Sequence, residues 1–372
     1  MTTGADPAPV QGLLALWHAA GRAAVDPKKR LLALQGVLAS GPALLLGGWL
    51  AGLLTLESRE ATLARPLAWL LEPAERAWRG DRDGALLLGL GLPLLCLSLV
   101  WGFFGGALSR MAAVDLAGRG RERGTLALGF ARRRLLALWG APFLWMGALV
   151  VPLLLAWLAM ALAGLPGLAG SALLAPAILA VAALCLLAVV GTSLVLGCAC
   201  LARPAVAADD ADLFDAVTRS VTYAWSGLPR LAGVRLWFLS GVLLGSGWRL
   251  LRSVLAVGLG LWALERGLGA GRLQDLLALL GSGEGLVVEM RTRPWGDVAG
   301  ALALGLSAAT LLALWLADLA SRLACARVAT YLVLRRAVDR VELARLATPP
   351  GESGAQTAQE AGFEEVGRVG SP

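Results

Sequence analysis

Histidine occurs once in this chain, as His18, and that scarcity removes whole classes of chemistry. No Ser–His dyad can be assembled within an apolar segment, and no HExxH zinc motif exists. A GxxxxGK[ST] stretch is missing, so no P-loop cradles a nucleotide. Asp318 is the only carboxylate well inside a long apolar run, which excludes a two-aspartate intramembrane protease. No pair of loop carboxylates has a glycosidase-like arrangement. The catalytic sets of the common membrane enzymes are lacking, so no catalytic residue, metal ligand or cofactor is expected.

Charge is also scarce. Charged residues make up 16% of the chain and hydrophobic ones 58%, against about 25% and 45–50% in soluble domains. The apolar surplus has to face lipid or other buried helices. Lysine is nearly absent and arginine takes its place, a bias typical of high-GC coding that carries little chemical information. The five cysteines (Cys96, Cys185, Cys198, Cys200 and Cys325) fall in or at the ends of apolar runs, where oxidation would not pair them. Cys198-x-Cys200 has the spacing of a metal or redox pair. Packing as small apolar side chains accounts for it without a ligand.

What the chain does have is six long apolar runs, at 31–56, 85–109, 135–164, 172–202, 236–264 and 298–324. About 20 helical residues at ~1.5 Å rise cross a ~30 Å hydrocarbon core, so each run is a candidate transmembrane helix. The expected fold is all-α: a polytopic membrane helix bundle of about six transmembrane helices plus cytoplasmic interfacial amphipathic helices. Residues 1–30 form an N-terminal flank, 31–335 the transmembrane domain and 336–372 a tail. From about 347 the tail is rich in Pro, Gly, Ser, Glu and Gln and is expected to be disordered. The first run is too long for a cleaved signal and follows Lys28, Lys29 and Arg30, so it is expected to stay as the first helix.

Basic residues orient the frame. With the N-terminus cytoplasmic, Lys and Arg number four before the first run, seven in 110–134, four in 203–235 and seven from Arg322 onward. These twenty-two face nine on the opposite side, a positive-inside bias that puts both termini in the cytoplasm. Trp101, Trp139 and Trp237 lie near expected inner ends, and Trp49 and Trp262 near outer ends, as in an aromatic belt. The basic loops are accounted for by this bias and by anionic lipid at the cytoplasmic face, with no nucleic-acid partner. The expected location is the bacterial inner membrane.

The connections carry the more specific patterns. Residues 10–25 and Leu67–Trp78 have amphipathic helical spacing, as do Thr125–Arg134. In the 203–235 loop, Pro204 is expected to end the fourth helix and Asp209 or Asp210 to cap a new one. There Leu213, Phe214, Val217, Val221, Ala224 and Trp225 recur at helical spacing, with Asp215 and Arg219 on other faces. Gly227 and Pro229 stop this helix, which is expected to turn Phe214 and Trp225 inward. The loops 110–134 and 203–235 echo each other as halves of a loose internal repeat. Residues 325–346 are expected to continue the sixth helix. Gly48-xxx-Gly52, Gly102-xxx-Gly106 and Gly241-xxx-Gly245 have the spacing of close helix contacts.

Intramembrane charge marks the candidate functional residues. The fifth run contains Gly245-Ser246-Gly247, then Arg249 and Arg252. One reading is a discontinuous, transporter-type helix. The other is a long helix whose two arginines snorkel to the outer leaflet or pair with outer-loop acids. Asp318 reads either as an ion-coupling carboxylate or as the local partner of Arg322, one turn on. No contact between Arg249 and Asp318 is expected.

Three segments, Trp101–Ala117, Asp212–Leu231 and Tyr331–Leu343, resemble an uncharacterised family of bacterial six-helix multi-pass membrane proteins. The Asp-Ala-x-x-Arg-Ser pattern at Asp215–Ser220, ahead of Pro229-Arg230-Leu231, is more distantly similar to the membrane domain associated with glycerophosphodiester phosphodiesterases. The resemblance implies topology and no activity. The expected function is a non-enzymatic membrane scaffold or accessory subunit acting through a cytoplasmic interface of Phe214, Asp215, Arg219 and Trp225. Its expected partners are anionic lipids and a membrane protein or a second copy. The alternatives are a small permease using the fifth helix and Asp318, and a lipid-modifying enzyme.

Overall fold

A computed structural model describes residues 13–54, 84–144, 178–179, 181, 198–226, 228–268, 271, 274–275, 277 and 295–339. These residues are helical, with short turns and no strand among them. In chain order we number α1 (Leu13–Ala24), α2 (Pro27–Leu54), α3 (Gly84–Leu116), α4 (Gly124–Arg133) and α5 (Leu135–Leu144). They are followed by α6 (198–209), α7 (Leu213–Ser226), α8 (Leu228–Leu268) and α9 (Trp295–Asp339). Among the described residues, four segments are long and apolar enough to cross a membrane: Pro27–Ala51, Gly91–Leu116, Leu231–Arg266 and Trp295–Asp339. They answer to the first, second, fifth and sixth apolar runs. Most of the third and fourth runs lies outside the described residues, as do Leu67–Trp78, Cys185 and the tail beyond Asp339.

Local chemistry sets the boundaries. Asp26 caps α2, its Oδ1 accepting the Lys28 N–H at 3.0 Å, and Pro27 takes the first helical position, where a missing N–H costs nothing. At the end of α3, Gly118 adopts φ 77°. The Arg119 N–H then reaches Val114 O and the Gly118 N–H reaches Asp115 O, both at 3.2 Å, which closes a Schellman motif.

The 203–235 loop differs from expectation in two ways. Pro204 lies inside α6, which runs on to residue 209. A proline removes one ladder bond, and here the neighbouring bonds carry the helix past it. The cap of α7 is Asp212, whose Oδ1 accepts the Asp215 N–H at 2.8 Å. Asp209 and Asp210 are used elsewhere, and Asp210 sits in the left-handed region at φ 54°.

Two compact units divide the chain. The first takes Met1–Ala23, Gly106–Phe238 and Ala324–Pro372. Its core is built from small side chains around a few large ones: Ala127 and Phe130 of α4, Leu138 of α5, Leu201 and Val206 of α6, and Val328, Tyr331 and Leu332 of α9. The second takes Ala24–Gly105 and Leu239–Leu323. Its helices touch at glycine: a Cβ on Gly47 of α2 would lie 2.4 Å from Pro93 Cα of α3, so only glycine permits that backbone approach. Much of its apolar surface points outward, including Leu243, Leu250, Leu251, Leu255 and Leu259 of α8. A water-facing surface rarely carries so continuous an apolar face, whereas lipid accepts it.

The fifth run is not broken. α8 is a continuous helix of 41 residues through Gly245-Ser246-Gly247. The Ser246 hydroxyl donates to Val242 O at 2.7 Å within the ladder, and its carbonyl accepts Trp315 Nε1–H of α9 at 3.1 Å. Gly245 admits a side chain of the neighbouring helix, and neither glycine interrupts its own helix.

Candidate functional site

In the second unit, charge converges on Asp318 of α9, which is 1% exposed. Its Oδ2 accepts Arg322 Nε–H at 2.8 Å, the expected pair one turn apart. Its Oδ1 lies 2.7 Å from Arg249 Nη1 of α8 and 3.2 Å from Arg30 Nε of α2. Among the described residues, the acid that Arg249 pairs with is Asp318 of α9. Arg249 shares this carboxylate with Arg30, which stands in the first turn of α2, and that contact corrects the expectation that Arg249 and Asp318 stay apart.

Gly245 makes the convergence possible. A Cβ there would fall 2.1 Å from Arg322 Nη1 and 2.6 Å from Cζ, so the Arg322 guanidinium occupies the space a side chain would take. Nearby, the Ser321 hydroxyl donates to Ala24 O at 2.9 Å. Arg252 does not join the group. Its guanidinium lies over the Trp248 ring, 4.9 Å from the centroid.

The first unit holds a second network, centred on Asp209 of α6. Its Oδ2 accepts Arg219 Nη1–H at 2.8 Å and the Tyr331 hydroxyl at 2.5 Å, and its Oδ1 faces Arg335. Arg219 also donates Nε–H to Asp215 at 2.8 Å. The Tyr223 hydroxyl donates to Asp339, and the Tyr223 and Tyr331 rings meet edge to face at 5.5 Å. Burial and the bond to Asp339 push the Tyr223 phenol above its ordinary range. For Arg219, burial pulls the guanidinium down, but the hydrogen bond and charge of Asp215 outweigh it and the net direction is up.

This network decides which face of α7 is covered. Ala216, Ser220, Tyr223 and Ala224 are buried, while Phe214 is 73% and Trp225 70% exposed. The inward orientation expected for Phe214 and Trp225 is thereby corrected. Small residues let α7 pack closely, and satisfying Arg219 and Tyr223 outweighs burying the two largest apolar groups. Asp215 and Arg219 of the expected interface are half-exposed and paired with each other.

Smaller contacts tie the loops of the first unit. Arg110 donates Nη1–H to Ala207 O at 2.9 Å and stacks its guanidinium 4.9 Å from the Phe130 centroid. Glu122, 3.6 Å from Arg110, is raised by burial more than that arginine lowers it. Arg134 donates to Asp210 at 2.8 Å. Cys198 is buried, and Cys200 accepts Arg235 Nη2–H at 3.1 Å. Among the described residues no three His, Cys, Asp or Glu side chains are grouped to hold a metal.

Sequence reasoning missed Arg30, Asp209, Tyr223, Tyr331, Arg335 and Asp339. One signal was available for Arg30: a lone intrahelical carboxylate must answer every arginine that reaches its level. No protein-family model, curated protein or solved structure matches the chain.

Proposed function

We propose that this chain is a non-enzymatic, six-helix, multi-pass scaffold or accessory subunit of the bacterial inner membrane, of the family it resembles. Both termini are cytoplasmic, and it engages a partner membrane protein through α7. The observation that carries this reading is the pair of exposed aromatics, Phe214 and Trp225, on a helix tied to its unit through Arg219 and Tyr223. Large exposed apolar side chains on a rigid element are the anchors that protein interfaces use, and tryptophan is enriched among them. Anionic lipid at the same face is attracted by Arg132 and Arg133 of α4. The permease alternative loses the broken helix that motivated it, since α8 is continuous.

The test is recovery of the tagged full chain from membranes in mild detergent, with Phe214→Ser and Trp225→Ser beside the parent. A distinct protein should co-purify with the parent and fall at least about tenfold in the variants, the equivalent of ~1.4 kcal/mol. Because both side chains are exposed, the variants should keep the parent's helicity. Recovery of the chain alone, or only of a second copy, or a partner retained unchanged by both variants, rejects the reading.

A further inference from the structure

Around Asp318 three guanidinium groups share one carboxylate, which leaves a formal excess of two positive charges at the meeting of α2, α8 and α9. Asp26, Lys28 and Lys29, which precede Arg30 in the sequence, carry a net formal charge of +1 between them. Uncompensated charge in an apolar helical unit is costly, and side chains that impose it are retained for what they bind.

Hydrogen bonding tells the same story. A guanidinium has five N–H donors, and a carboxylate has about four acceptor positions. Asp318 accepts a hydrogen bond from Arg322 at Oδ2, while its Oδ1 lies at ion-pair distance from Arg249 and Arg30 without a hydrogen bond to either. Arg30 Nε and Nη2 are enclosed yet have no hydrogen-bonded acceptor among the described residues. The group is nonetheless reachable: Arg30 is 28% and Arg249 32% exposed.

We propose that Arg30, Arg249 and Arg322 form a binding site for a phosphate group, with Asp318 as the residue that positions the three guanidiniums. The chemistry selects the ligand class. Guanidiniums arriving from three different helices suit an anion with three oxygens in a tetrahedral arrangement, and a planar carboxylate has only two. A phosphate supplies negative charge and acceptors that can meet the unsatisfied Arg30 donors. Arg30 follows Lys28 and Lys29 directly and precedes the apolar length of α2, which is the level of lipid headgroup phosphates at a bilayer boundary. A headgroup phosphate and a soluble phosphate compound share this chemistry. The site makes no use of α7, so partner capture and phosphate binding succeed or fail separately.

The experiment uses the full chain in a neutral maltoside detergent, with four probes: phosphatidylglycerol, phosphatidylcholine, inorganic phosphate and oleate. Native mass spectrometry and thermophoresis read binding. The parent should bind a phosphate probe more tightly than oleate. Arg249→Gln and Arg30→Gln should each weaken it at least about tenfold. Arg252→Gln should not change it, because Arg252 is held over Trp248 away from Asp318. Gly245→Ala removes no charge, but displaces the movable end of Arg322 and should weaken binding as well.

Phospholipid bound without inorganic phosphate assigns the site to a headgroup. Inorganic phosphate binding with the same arginine dependence assigns it to a soluble compound. If Arg249→Gln does not stay monodisperse, Arg30→Gln decides, since it lies in a partly exposed first turn. A parent chain that binds no phosphate probe above oleate overturns the proposal. So does undiminished binding in a well-folded Arg30→Gln or Arg249→Gln.

Discussion

A carboxylate enclosed among three guanidiniums responds unequally to the loss of different members. Asp318→Asn removes the only negative charge of the group and leaves Arg30, Arg249 and Arg322 facing one another. Breaking a buried pair by removing one side typically costs about 3–5 kcal/mol. The variant should therefore melt well below the parent in the same detergent. Arg252→Gln removes only an exposed cation–π contact, worth roughly 0.5–1 kcal/mol, and serves as the comparison. Equal melting of Asp318→Asn and Arg252→Gln would refute the account of Asp318. The Asp318–Arg322 pair was legible in the sequence because one helical turn separates them. Arg249 was not, since it lies 69 positions from Asp318 in the sequence and the approach depends on the absence of a side chain at Gly245. The sequence leaves a broken and a continuous helix both open at Gly245-Ser246-Gly247, and only the neighbouring helix reveals Gly245 as a seat for Arg322.

At the scale of elements, α7 shows how a polar network overrides hydrophobic rank. Asp209 holds Arg219, Tyr331 and Arg335 together, so α7 and the end of α9 are fastened to α6 through one buried carboxylate. Asp209→Asn should loosen α7 by about 3 kcal/mol or more, because Arg219 and Arg335 lose the carboxylate they share and keep only Asp215 and Asp339 respectively. Tyr331→Phe removes a single hydrogen bond and should cost about 1–2 kcal/mol. Hydrogen exchange over residues 213–226 measures both, and protection should fall further in Asp209→Asn. Unchanged protection in both variants would show that α7 is held by packing alone. The helix itself was readable from its spacing; the stop expected at Gly227 lies outside the described residues, and Pro229 stands in the first turn of α8 rather than ending a helix. Its orientation was not readable. The spacing ranks Phe214 and Trp225 as core, but the partners of Arg219 and Tyr223 lie on α6 and α9, which no local pattern identifies.

For the whole molecule, the question is the number of crossings. Four described segments are long and apolar enough to span a bilayer, and they correspond to the first two and last two apolar runs. The third and fourth runs, 135–164 and 172–202, would add a pair of crossings. Adding or removing a pair leaves the sidedness of every other connection unchanged, so charge counting cannot separate four spans from six. One position can. Truncated fusions ending after Gly80, Gly120, Leu168, Ala207, Gly281 and Gly354 sample each connection. With six crossings and a cytoplasmic N-terminus, a phosphatase reporter should be active after Gly80, Leu168 and Gly281. A fluorescent cytoplasmic reporter should light after Gly120, Ala207 and Gly354. If the middle pair does not cross, Leu168 alone changes side. An inactive phosphatase at Leu168, with the other five reporters as expected, would reduce the bundle to the four described spans. The site at Asp318 would stand, since α2, α8 and α9 supply all of its residues.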